Sequence, residues 1–252
     1  MAISWTLKKQ LKIFSGFAVL VLLIVLGGIY YFEPSPSCFD KIQNQNEEGI
    51  DCGGECEACI GNPKVPIIFW TRTFEIIPGQ YEAAALVENP NLIVGAKELP
   101  YTIRLYEGET LVAKREGKTF LNPRDKFLIF ESGIATGERK PNRAVIEFGE
   151  IPWKRFDGER PNIIISSQNF EPTPSGNGRV RLLVRNQTLF PIRDIYLAVV
   201  LSDASGNAVG VSSSKIDVLA GEASEDVFFT WRHPFSPPPA LVEAYLRTNL
   251  TE

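Results

Sequence analysis

The sequence predicts a mainly β protein: two tandem antiparallel β-sandwiches carried on one N-terminal transmembrane helix and a small disulfide-rich module. Three observations predict it. Ile13 to Phe32 is a run of twenty residues without a charge, four cysteines lie between Cys38 and Cys59, and the remainder alternates in short strands that repeat at an offset of 97 residues.

A helix over Ile13 to Phe32 would be about 30 Å long at about 1.5 Å per residue, the hydrocarbon thickness of a bilayer. Phe14, Phe17 and the run Val19 to Leu26 leave it no polar face, which argues against a helix lying flat on the surface. Lys8, Lys9 and Lys12 precede the run and no acidic residue occurs in the first 32, so the positive-inside rule places the N-terminus in the cytoplasm and the rest outside. Tyr30, Tyr31 and Phe32 suit the outer interface. A cleaved signal peptide is the competing reading. It fits less well, because the run is long and Gly-Gly-Ile-Tyr-Tyr offers no small-x-small cleavage site.

Of the 26 Lys and Arg, three precede the end of this span, while all 30 Asp and Glu follow it. An acidic exported part argues against nucleic acid as a partner. With 18 Pro, 20 Gly and abundant Val, Ile and Phe, the composition suits strands joined by turns. The predicted organisation is a cytoplasmic tail at 1–12, the helix at 13–32, a Pro spacer and Cys-rich module at 33–61, and β-domains at 64–155 and 160–250.

Cys38, Cys52, Cys56 and Cys59 are spaced C-x13-C-x3-C-x2-C. An even number of clustered cysteines in an exported segment predicts two disulfides, in any of three pairings. So short a segment has only Phe39, Ile42 and Ile50 with which to build a core, and cross-links must order it instead. Zinc on the four sulfurs is a second reading. Calcium on the oxygens of Asp40, Asn44, Glu48 and Asp51 is a third, although these lack the alternate-residue spacing of an EF-hand. Solvated acids stabilising turns are the expected role, with no cofactor.

The segment resembles a module of bacterial and some animal surface proteins with the pattern Cys-x-Asp-Gly-x-x-Asn-x-x-Glu-x-Gly-x-Asp-Cys-Gly-Gly-x-Cys-x-x-Cys. It supplies Cys38, Asp40, Asn44, Glu47 or Glu48, Gly49, Asp51, Cys52, Gly53, Gly54, Cys56 and Cys59, and departs at Lys41, where the pattern has Gly. The resemblance implies a juxtamembrane or interdomain spacer without enzymatic activity.

Beyond Pro66, Ala83-Ala-Ala-Leu-Val-Glu-Asn89 lies over Val180-Arg-Leu-Leu-Val-Arg-Asn186, Leu111-Val112 over Ala208-Val209, Lys118 over Lys215, and Val145 over Val242. Duplication of one β-domain explains this register. Strands are expected over Ile67 to Phe74, Tyr81 to Glu88, Tyr101 to Tyr106, Thr110 to Glu116, Asp125 to Glu131 and Arg143 to Phe148. The second copy is expected over Ile163 to Ser166, Val180 to Val184, Ile195 to Leu201, Val209 to Lys215, Asp226 to Trp231 and Leu241 to Leu246. Through Asn186-Gln-Thr, Ile195 to Asp203, Gly206-Asn and Leu219-Ala-Gly221 this copy resembles the immunoglobulin-like domains of the FxLYD or late-embryogenesis-abundant type, which implies an Ig-like spacer or adhesion module. Taken whole, the chain resembles anchored surface proteins of small-genome bacteria.

Catalytic chemistry finds little support. His233 is the single histidine and no Gly-x-Ser-x-Gly elbow accompanies it, so a turn role is expected and the protein is read as a non-enzyme. Phe69-Trp70, Phe228-Phe229, Trp231 and Trp153 could form a carbohydrate or peptide platform, with core packing as the plainer reading. Exposed loops carry function more often than strands do. The binding loops are therefore sought at Ser132 to Asn142, with Gly133, Glu138, Arg139 and Lys140, and at His233 to Pro239, with Phe235. Asn186-Gln-Thr188 and Asn249-Leu-Thr251 match the glycosylation acceptor pattern, which short sequences meet by chance. The expected partners are membrane lipid, through the helix, and another envelope protein, with no small-molecule substrate. The alternative is an accessory subunit of a transport or assembly complex that engages its partners through the helix.

Overall fold

The computed structural model describes residues 5–32, 37–56, 59–156, 158–172 and 177–250. The chain forms two compact units, Met1–Cys59 and Ile60–Glu252. The proline spacer expected at Glu33 to Ser37 lies almost wholly outside the described residues.

In the first unit, α1 (Trp5–Phe32) starts ahead of the apolar run and takes Lys8, Lys9 and Lys12 into the helix. The helical backbone continues because residues 5–12 hold no proline or glycine to stop it. Lys9–Gly28 is long and apolar enough to cross a membrane, and Leu11, Phe14, Phe17 and the run Val19 to Leu26 are exposed. Among its described residues the cysteine module that follows holds one β-bridge, Gly49 to Cys52.

The described residues of the second unit form strands and their connections, as its proline, glycine and β-branched content dictates. Its elements are β1 (Ile67–Ile77), β2 (Gln80–Glu88), β3 (Val94–Glu107), β4 (Thr110–Leu121), β5 (Lys126–Ala135), β6 (Arg143–Phe148), β7 (Lys154–Arg155), β8 (Ile163–Pro172), β9 (Asn177–Asn186), β10 (Ile192–Ser202), β11 (Ala208–Leu219), β12 (Ser224–Pro234) and β13 (Leu241–Arg247). They pair into four antiparallel sheets: β1-β2-β5, β4-β3-β6 with β7 beside β3, β12-β9-β8 and β11-β10-β13.

Apart from β7, the order repeats: β1 to β6 are connected as β8 to β13 are. The register expected from sequence holds for β2 against β9, where Ala83, Ala85 and Val87 enter one core as Val180, Leu182 and Val184 enter another. It slips by one residue, in opposite senses, at β3 against β10, where Leu105 and Leu201 are the matching core positions, and at β6 against β13. Leu105 faces Ala144 and Leu201 faces Val242, so Ala144, not Val145, is the counterpart of Val242.

Three apolar clusters hold the unit together. The first gathers residues of β2, β3, β4, β5 and β6 and centres on Phe127, Leu99, Ile103 and Leu105. The second gathers residues of β9, β10, β11 and β12, with β8 and β13 against it, and centres on Leu182, Ile195, Leu197 and Leu201. The third joins the copies: Ala84, Leu86 and Leu128 of the first meet Ala198, Val200, Ala208 and Val211 of the second, with Trp70, Phe74 and Tyr245 against them.

An ion pair closes one edge of this junction. Arg247, at the end of β13, donates from Nε to Asp125 Oδ2 at 2.7 Å and from Nη2 to Phe120 O at 2.6 Å, and stacks over Phe127 at 3.7 Å. Both side chains are under one-tenth exposed. Burial pulls the guanidinium below its usual range, and Asp125 opposes that shift.

Candidate functional site

The cysteine module is ordered by cross-links and by carboxylates that receive backbone N–H groups. Cys38 pairs with Cys56 and Cys52 with Cys59, an interleaved arrangement. Asp40 accepts the Ser37 and Ile42 amides and the Asn44 side-chain amide, which together hold its carboxyl below the usual range. Asp51 accepts the Lys41 amide at 2.9 Å, and the buried Glu47 accepts those of Asn44 and Asp51. Of the two acids that could fill the Glu position of the module pattern, Glu47 is thus the interior one, and Glu48 is exposed beside Gly53.

Lys41, where the pattern has Gly, adopts φ 62°, so the left-handed turn forms at a lysine. Cys38, Glu47 and Cys56 place ligand atoms within 4.8 Å of one another, but their two sulfurs are bonded together, so this trio lacks the thiolates that a zinc site needs. Among the proposed calcium ligands, Asp40 and Asp51 are engaged by the contacts above. Asn44 Oδ1 is buried without a partner.

The residues expected on the first loop are divided by the structure. Gly133 lies inside β5, at φ 65°, and its carbonyl accepts Arg115 at 2.8 Å, so the strand runs on to Ala135 where a loop from Ser132 was expected. Ile134 is the reason: it is 2% exposed in the first cluster and draws the chain back into the sheet. The loop proper is clamped by Glu107, which receives Arg139 Nη1 at 2.8 Å and the Lys140 amide at 3.1 Å. These contacts lower its carboxyl, Arg139 first. Glu138 is exposed.

His233 likewise belongs to a strand, the exposed end of β12, while Phe235 follows it and turns inward. Phe235 meets Trp231 edge to face at 5.6 Å and lies over Gly210 and Gly178, where a Cβ would come within 2.7 Å of its ring. Trp231 donates to Val211 O at 3.1 Å. Together they wall a cleft of about 400 Å³ whose other side is Phe74, Glu75 and Glu82, with Arg232 and His233 on its rim.

Sequence reasoning missed Glu82. It is half-buried on the strand face that carries Ala84 and Leu86, and burial raises its carboxyl above the usual range. One acid within Tyr81-Glu-Ala-Ala-Ala-Leu-Val87 was the available signal.

The aromatic residues do not assemble into one platform. Phe229 is buried, Trp70 packs on the third cluster, Trp153 on the first, and Phe69 and Phe228 are exposed beneath Lys126 and Arg179. Asn186 is fully buried and donates to Phe190, Leu219 and Ala220 carbonyls, so the folded chain offers it to no glycosylating enzyme. Asn89 does the same work in the first copy, donating at 2.8 Å to Val94 O and Asn122 O.

No protein-family model matches the chain, and no curated protein is similar to it.

Proposed function

We propose that the protein is a single-pass, membrane-anchored element of the cell envelope, its N-terminus cytoplasmic and its β unit outside, that binds another envelope protein without catalysis. One observation carries this reading: an apolar helix of spanning length stands directly ahead of two disulfides in one chain. Disulfides persist in oxidising compartments, and Lys9 and Lys12 precede the apolar stretch, so the charge bias and the redox chemistry point the same way. The paired sheets are read as two Ig-like sandwiches, an assignment supported by the repeated strand order and by one apolar cluster within each copy. The cleft walled by Trp231 and Phe235 is the surface on which a partner's side chains would lodge.

Two measurements test the reading. A reporter active only outside the cytoplasm, fused after Leu250, is expected to be active; activity of a cytoplasm-only reporter at the same point refutes the topology. Partners captured by the full chain should survive replacement of Ile13 to Phe32 by a neutral poly-Leu helix. Their loss would instead favour an accessory subunit that assembles through its helix.

A further inference from the structure

Leu92 and Ile93, between β2 and β3, are 63% and 45% exposed, and Leu189 and Phe190, between β9 and β10, are 75% and 74% exposed. Single exposed apolar residues are ordinary. Here adjacent pairs recur at the same place in both copies, each following a buried asparagine, Asn89 just past β2 and Asn186 at the end of β9.

That asparagine fixes the turn. Asn89 holds Val94 O and accepts the Asn91 amide, and Asn186 holds Phe190 O and accepts the Thr188 amide. The apolar side chains are therefore presented on tied backbone.

Both turns lie at one end of the unit. Glu88 at the end of β2 faces Ile67 at the start of β1, and Asn91 exchanges hydrogen bonds with Lys64, so the chain enters the unit beside the first turn. Asp125 and Asn122, at that same end, contact Arg247, Thr248 and Leu250. Those residues close β13 alongside the beginning of β10, next to the second turn. Lys64, Arg124 and Arg193 beside the turns are exposed and have no ion-pair partner among the described residues. By contrast, the hairpins Glu107–Thr110 and Asp203–Asn207 at the opposite end are polar.

We propose that Leu92–Ile93 and Leu189–Phe190 insert into the interface of the bilayer that the N-terminal helix spans, with Lys64, Arg124 and Arg193 against lipid phosphates. Apolar side chains flanked by cations suit the boundary between acyl chains and headgroups, and the tether keeps that boundary within reach. The proposal rests on the spanning reading of the helix.

The full chain is reconstituted in vesicles of phosphatidylcholine and phosphatidylglycerol carrying lipid-borne spin labels. Single cysteines replace Leu92, Phe190, Ser205 at the polar end or Ile24 in the helix, each bearing an environment-sensitive fluorophore. Labels at Leu92 and Phe190 should be quenched several-fold more than one at Ser205, with Ile24 quenched most. Quenching at Leu92 and Phe190 no stronger than at Ser205, with Ile24 still quenched, overturns the proposal and leaves the span intact. Loss of quenching at Ile24 overturns the span, and the proposal with it. Self-quenching between Phe190 labels without lipid quenching also overturns it, in favour of contact between two copies of the chain.

Discussion

The two copies share strand order, a buried asparagine and an apolar centre, yet they turn different sheets toward each other. The first copy covers the outer side of β1-β2-β5, and the second covers the outer side of β11-β10-β13, which corresponds to β4-β3-β6 of the first. Charge placement explains the choice. On β2 the outward positions are Ala84 and Leu86; on its counterpart β9 they are Arg181 and Leu183, and Arg181 pairs with Asp226 at 2.7 Å in solvent. On β10 the outward positions are Ala198 and Val200; on β3 they are Thr102 and Arg104, with Arg104 paired to Glu147. Two halves of one strand order thus join through non-equivalent faces, each of them the face that lacks charge.

The largest effect is expected from giving β2 the charge its counterpart carries. Ala84→Arg buries an unpaired cation at a fully enclosed position and should destabilise the β unit by more than about 4 kcal/mol, seen as a collapse of the urea midpoint by tryptophan fluorescence. Breaking the junction's ion pair comes next. Arg247→Met leaves the buried Asp125 charge without its cation, although the Asn122 amide still donates to it, and should cost about 3–5 kcal/mol, while Arg247→Met combined with Asp125→Leu should restore most of it; an unrecovered double variant would place the loss in packing. Asn89→Ala and Asn186→Ala should each cost about 1–3 kcal/mol by orphaning buried carbonyls, and a marked inequality between them would show that the copies use the residue differently. Arg181→Ala, on the solvent face, should leave the urea midpoint within measurement scatter.

The cysteine module and the junction should also differ in the sign of their response to acid. Asp40 has a lowered pKa, so its stabilisation is present above the ordinary value of 3.8 and is lost as pH falls through the lowered one. Glu82 has a raised pKa, so its contribution is full below 4.5 and is lost as pH rises through the raised value. Protection of the Ser37 and Ile42 amides, taken relative to the intrinsic exchange rate at each pH, should fall with acidification, while that of the strands around Glu82 should not.

Strand positions and the repeat were legible because half-buried strands alternate, as Val180, Leu182 and Val184 do. The junction was visible too, had the uninterrupted runs Ala83 to Val87 and Leu197 to Leu201 been read as strands buried on both faces. Which two faces meet could not be read, since alternation reports burial and not the identity of the covering surface. The disulfide pairing was equally hidden, because spacing constrains loop length and leaves the sulfurs' proximity to the turns at Lys41 and Asp51. At the candidate site, Phe235 was found for its place in a proline-rich turn. Glu82 escaped because a lone acid in an apolar strand signals exposure unless the strand's far face is known to be covered.

The chain enters the β unit beside Asn91 at one end of β1, and the cleft lies at that strand's other end. Tension applied between Lys64 and Phe74 would run along the backbone of β1 itself, so the ladder from Ile67 to Ile77 with β2 braces that strand from the side without being the element that is sheared.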